Sequence, residues 1–124
     1  MLTRKQKSLV KAYKLGEHIL VNGDCTDKDL VVYVFQDIKI GSVISDPPFG
    51  CEVVQSKQFM KQKSSIHKEI INDEIVSEED YVKFTENWLK LMIPYLDKKN
   101  AIYIFNTDKN MFAVRQAMKN QNFH

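Results

Sequence analysis

Glycine is scarce in this sequence: 124 residues hold four, Gly16, Gly23, Gly41 and Gly50, and no two are close together. That excludes a glycine-rich loop, in which several residues without a side chain let the backbone close on a cofactor. Cysteine is limited to Cys25 and Cys51. They show no CxxC spacing, and His18, His67 and His124 form no cluster with them, so no metal site is expected. Two free thiols in a reducing compartment is the reading that follows. No apolar run approaches the roughly 18 residues that cross a membrane. The N-terminal stretch is charged but has no apolar h-region, so it is not a secretory signal, and a cytoplasmic location is expected. Composition leaves room for a basic, amphipathic transit peptide.

What remains is ordinary for a water-soluble fold: 44% hydrophobic and 27% charged residues, enough for one domain at most. The net charge is only +2, but it is unevenly spread. Arg4, Lys5, Lys7, Lys11 and Lys14 crowd the start, and Lys57, Lys61, Lys63 and Lys68 with His67 form a second basic cluster. Acids gather later, at Asp73, Glu74, Glu78, Glu79 and Asp80. Basic clusters of this kind meet a polyanion such as DNA or form a solvated face.

Residues 1–14 read as a basic N-terminal helix or arm, and residues 15–124 as one domain segment. Glu17 to Val21 is a strand candidate closed by the turn signal Asn22-Gly23. From Asp27 to Gln36, Leu30, Val31, Val34 and Phe35 recur at helical spacing, yet the β-branched content also permits a strand. Thr26 or Asp27 suits a helix cap there. Gly41 to Ser45 is the next strand. Residues 50–72 have no clear period. Ser77-Glu78-Glu79-Asp80 then opens a helix with Tyr81, Phe84, Trp88, Leu91, Met92 and Tyr95 at three- and four-residue steps, limited by Pro94. Trp88 and its neighbours read as core. Lys98-Lys99-Asn100 is expected to turn the chain into a buried strand, Ala101 to Phe105. Thr107 is expected to cap a last helix with Met111, Val114 and Met118 on one face. No finishing element is evident at Gln121 to His124. Alternating strands and helices predict an α/β sheet with mainly parallel strands.

Two of the three prolines stand together in Ser45-Asp46-Pro47-Pro48-Phe49-Gly50, directly after the apolar Val43-Ile44. A residue before proline is pushed to extended geometry, and proline has no N–H. The loop is therefore stiff and rich in acceptors: the Asp46 carboxylate and free backbone carbonyls. An exocyclic amino group, with two donors, suits such a site. Phe49 offers a face on which a planar ring stacks, and Gly50 lets backbone approach closely. In an open α/β sheet, ligands bind beyond the carboxyl ends of the strands, where this loop falls. A plain Asp-Pro turn with Phe49 in the core is the other reading.

Asp46-Pro47-Pro48-Phe49 resembles the DPPY/DPPF tetrapeptide of amino-methylating DNA methyltransferases, which act on adenine N6 or cytosine N4. Gly16-Glu17-His18 with Asn22-Gly23-Asp24-Cys25-Thr26-Asp27 resembles a lead-in of that family's permuted subclass. Ile70-Ile71-Asn72-Asp73 and the stretch from Ser77 to Ala101-Ile102-Tyr103-Ile104 are also similar to it. The resemblance implies a partial Rossmann-like methyltransferase sheet, S-adenosylmethionine as cofactor, and double-stranded DNA as partner, with the target base flipped out. It implies a catalytic role for Asp46, Pro47, Pro48 and Phe49. Asp46 and the Pro47 carbonyl would accept from the target amine, and Phe49 would stack on the base. Asp24, Cys25 and Asp46 would meet the cofactor, and Lys57, Lys61, Lys63 and Lys68 the DNA phosphates. The opening aspartate, rather than serine, points to adenine.

One departure stands out. The subclass places a glycine-rich cofactor loop towards its C-terminus, and nothing here resembles it. The chain is accordingly expected to be an N-terminal fragment, completed by a missing C-terminal half or a second polypeptide. The alternatives are a non-catalytic DNA-binding remnant, a half-enzyme subunit, or a methyltransferase for RNA or a protein glutamine. The last class mostly begins its tetrapeptide with asparagine.

Overall fold

The caps at Asp27 and Ser77 and the helical periods that follow them are realised in the computed structural model, which describes residues 11–50, 75 and 77–123. The described elements are β1 (Lys11–Leu15), β2 (His18–Asn22), α1 (Lys28–Phe35), β3 (Ile40–Ser45), α2 (Glu78–Met92), a 3-10 turn (Ile93–Tyr95), β4 (Leu96–Ile104), a second 3-10 turn (Asp108–Asn110) and α3 (Met111–Asn120). The fold is α/β, and β3 and β4 are hydrogen-bonded neighbours. The Phe105 amide donates to the Ser45 carbonyl at 2.9 Å. The C-terminal ends of the two strands therefore meet, and the pair is parallel. An antiparallel register through that bond would run β3 off the end of β4. No helix among the described residues is long and apolar enough to cross a membrane.

The chain divides into two units. The first combines residues 1–42 with 87–101. Its β1 and β2 form an antiparallel hairpin, from Lys11 opposite Asn22 to Leu15 opposite His18. This corrects the expectation of a helix or arm for Lys11 to Lys14. The two-residue loop Gly16-Glu17 puts Gly16 at φ 64°, as a type II′ hairpin asks of its first loop residue. Cross-strand pairing wins over a weak apolar stripe whose other members, Leu2, Leu9 and Val10, lie outside the described residues.

The ambiguous segment after Thr26 is a helix, because Asp27 caps it: its Oδ1 accepts from the Asp29 amide at 2.9 Å and the Leu30 amide at 3.2 Å. Leu30, Val31, Trp88, Leu89 and Met92 are buried, so Trp88 is core as its spacing predicts. Phe35 and Tyr95 rings lie 5.3 Å apart. Lys98-Lys99-Asn100 continue β4 instead of turning the chain, and that half of the strand is exposed. Their lysine and asparagine side chains are therefore compatible with a strand whose faces meet water.

The second unit combines residues 43–86 with 102–124. Its core is Tyr81, Ala113 and Val114, with Ile75, Val82, Phe84, Ile104 and Met118 packed on it. Ser77 caps α2, accepting from the Asp80 amide at 3.1 Å while its hydroxyl donates to Asp80 Oδ2 at 2.7 Å. Thr107 makes no side-chain cap, contrary to expectation; the 3-10 turn Asp108–Asn110 precedes α3. The buried face of α3 is Ala113, Val114 and Ala117, and Met111 is 56% exposed. Gln121 to Phe123 do finish the helix. Asn122 takes φ 63°, and the Phe123 and Asn122 amides donate to the Met118 and Lys119 carbonyls, which is a Schellman closure.

Candidate active site

β3 stops at Ser45 because the residues that would continue its ladder, Pro47 and Pro48, have no amide hydrogen. Asp46 is exposed, Pro47, Pro48 and Phe49 are half-buried, and Gly50 is buried. Gly50 sits at φ 61°, a left-handed conformation that a residue without Cβ adopts freely.

Three polar side chains reach into the loop from elements far away in sequence. The Tyr81 hydroxyl on α2 donates to the Pro48 carbonyl at 2.7 Å and accepts from Asn106 Nδ2 at 2.7 Å. Asn110 Nδ2 donates to the Phe49 carbonyl at 2.7 Å and to Asn106 Oδ1 at 3.1 Å. Asn106 Oδ1 also accepts from the Thr107 amide at 2.8 Å. Lys109 Nζ stands 3.5 Å from the Gly50 carbonyl, a long contact. Asn110 is buried, so its amide bonds without competition from water.

The carbonyls of Pro48, Phe49 and Gly50 are thus all engaged. Among the described residues no donor bonds the Pro47 carbonyl or the Asp46 carboxylate. The loop presents one carboxylate and one carbonyl as acceptors, on backbone held from behind. Chemically this arrangement accepts two hydrogens from one donor group and places negative charge beside it.

Asp46, Pro47, Pro48 and Phe49 therefore stand together in the second unit. Asp24 and Cys25 belong to the first. Asp24 Oδ1 accepts from the Thr26 amide at 2.8 Å and the Thr26 hydroxyl at 2.7 Å, forming an Asx turn. Cys25 is exposed as a residue, yet desolvation of its sulfur, then the Asp24 carboxylate, pushes the thiol up, against a smaller pull from its own amide. A thiol held protonated is a poor nucleophile. Lys57, Lys61, Lys63 and Lys68 lie outside the described residues, as do Cys51 and Ile70 to Asp73.

Tyr81, Asn106 and Asn110 escape a reading of the sequence. Tyr81 fits the apolar stripe of its helix, which hides the use of its hydroxyl. The available signal was the run Asn106-Thr107-Asp108-Lys109-Asn110, a polar cluster at the end of β4, where a parallel sheet gathers its ligand-facing loops.

A search of curated proteins and a search of solved structures found no match. Residues 40–124 match the model of the N6/N4 methyltransferase family, described as DNA methylase. The match opens at the first residue of β3 and leaves the lead-in at 16–27 outside it. With well over half of its length matched, through the acceptor loop and the residues that hold it, the chain belongs to this DNA methylase family.

Proposed function

We propose that the chain carries the amine-binding catalytic loop of an S-adenosylmethionine-dependent DNA methyltransferase acting on adenine N6. The observation that carries this reading is the pairing of one carboxylate with one carbonyl, at Asp46 and Pro47, to which no described residue donates, while the next three carbonyls are engaged. An exocyclic amine presents two N–H groups in one plane, and two adjacent acceptors fit it. Asp46 and Pro47 orient the nitrogen lone pair toward the incoming methyl group. The Asp46 carboxylate stabilises the positive charge that grows on that nitrogen. S-adenosylmethionine, when bound, supplies a methyl group on a positively charged sulfur. Asp24 suits contact with its adenosine part, because no described residue bonds Oδ2 of that exposed carboxylate. The protonated thiol of Cys25 leaves that residue a contact rather than a nucleophile. Catalysis is positioning and electrostatics, with no covalent intermediate on the protein.

The test is single-turnover transfer of labelled methyl from concentrated S-adenosylmethionine to duplex DNA, followed by nucleoside digestion. Label is expected in N6-methyladenine. Asp46→Ala is expected to lower the rate on the order of 10²–10³-fold, the effect of removing a preorganised charge partner. Label in N4-methylcytosine overturns the choice of base, and an unchanged rate in Asp46→Ala overturns the role of the loop.

A further inference from the structure

The strand beside the loop turns aromatic side chains outward. Tyr103 is 59% exposed and Phe105 61%, with Ile44 on β3 at 73%. Ile104, between the two aromatics, packs on the Tyr81–Ala113–Val114 core. Successive side chains of a strand alternate, so Tyr103 and Phe105 share the face opposite Ile104. This departs from the expected buried strand. Parallel strands are normally covered on both faces, and in this chain the face that carries Ile44, Tyr103 and Phe105 is open.

The bond from the Phe105 amide to the Ser45 carbonyl sets the register. In a parallel pair a residue donates to the residue that precedes its lateral partner. Phe105 is therefore level with Asp46, and Tyr103 with Ile44. Neighbouring strands are about 4.8 Å apart. Asp46 and Ile44 are both exposed, two residues apart, and so lie on the same open face as Phe105.

We propose that Phe105 is a stacking surface for the purine whose amine is accepted at Asp46 and Pro47; this rests on the reading of that loop as amine-binding. A flat apolar face one strand spacing from a carboxylate matches a purine, whose face is apolar and whose edge carries the donor. Phe105 supplies affinity for any planar base, and Asp46 supplies the preference for one bearing an amine. The backbone bond to Ser45 holds Phe105 in place regardless of its side chain.

The test titrates the full chain with adenosine and with inosine, which carries an oxygen in place of the amine, by ligand-observed NMR. Wild type is expected to bind adenosine more tightly than inosine. Phe105→Ala is expected to weaken both by about 5-fold to 100-fold, the loss of one base–aromatic stack, with an unchanged thermal midpoint. Phe105→Trp is expected to restore binding. Unchanged binding in Phe105→Ala, with Asp46→Ala losing the preference for adenosine, overturns the stacking role alone. A preference for adenosine that survives Asp46→Ala overturns the reading of the loop. Absence of saturable adenosine binding by wild type overturns the stacking site.

Discussion

Asn110 is the residue on which most of the loop's rigidity converges. It is 5% exposed, and its side-chain nitrogen serves both the Phe49 carbonyl and Asn106 Oδ1. Replacing it with alanine removes one donor from the Phe49 carbonyl and one from Asn106 Oδ1, which keeps its bond from the Thr107 amide. A hydrogen bond contributes about 0.5–1.5 kcal/mol net, so Asn110→Ala is expected to lower stability by about 1 kcal/mol or more in chemical denaturation. Tyr81 differs, because its ring is core and only its hydroxyl belongs to the loop. Pro47 and Pro48 announce a stiff loop in any sequence, whereas nothing local marks Asn110 as its support.

At the scale of elements, α2 shows how far short-range chemistry reaches. Ser77 and Asp80 close its first turn together, as the Ser-x-x-acid spacing predicts. The Ser77 hydroxyl, then Lys83, holds the Asp80 carboxyl below its ordinary value. A depressed value in the folded state means the contribution is complete above the unfolded value and is lost as pH falls through the folded one. Ser77→Ala is expected to cost about 1 kcal/mol at neutral pH, and to flatten the acid side of a plot of thermal midpoint against pH. A variant as acid-sensitive as wild type would remove Ser77 as the cause. The Lys83 pairs with Glu79 at 3.0 Å and Asp80 at 3.5 Å are exposed, and such pairs contribute little. α3 is the counterexample to local reading. Its inward face is set by Asn110 anchoring to the loop, which brings Ala113 and Val114 inward and leaves Met111 in water.

At the scale of the molecule, the family match begins with β3 and includes the acceptor loop. Yet the four glycines are dispersed across 124 residues. Backbone closure around a cofactor needs them clustered. The 124-residue chain is therefore expected to give no saturable heat with micromolar S-adenosylmethionine in calorimetry. Tight binding would show that other residues replace the glycine-rich loop.

The sequence alone carried the α/β order, the cap at Ser77 and the placement of Trp88 in the core. Each follows from interactions within a few residues, where spacing and side-chain type decide. Tertiary structure decided the rest. The Tyr81 and Asn110 bonds to the loop span 33 and 61 residues, the hairpin took Lys11 to Lys14, and β4 left Phe105 open beside Asp46. Those outcomes depend on which distant groups meet, and no local pattern encodes a partner that far along the chain.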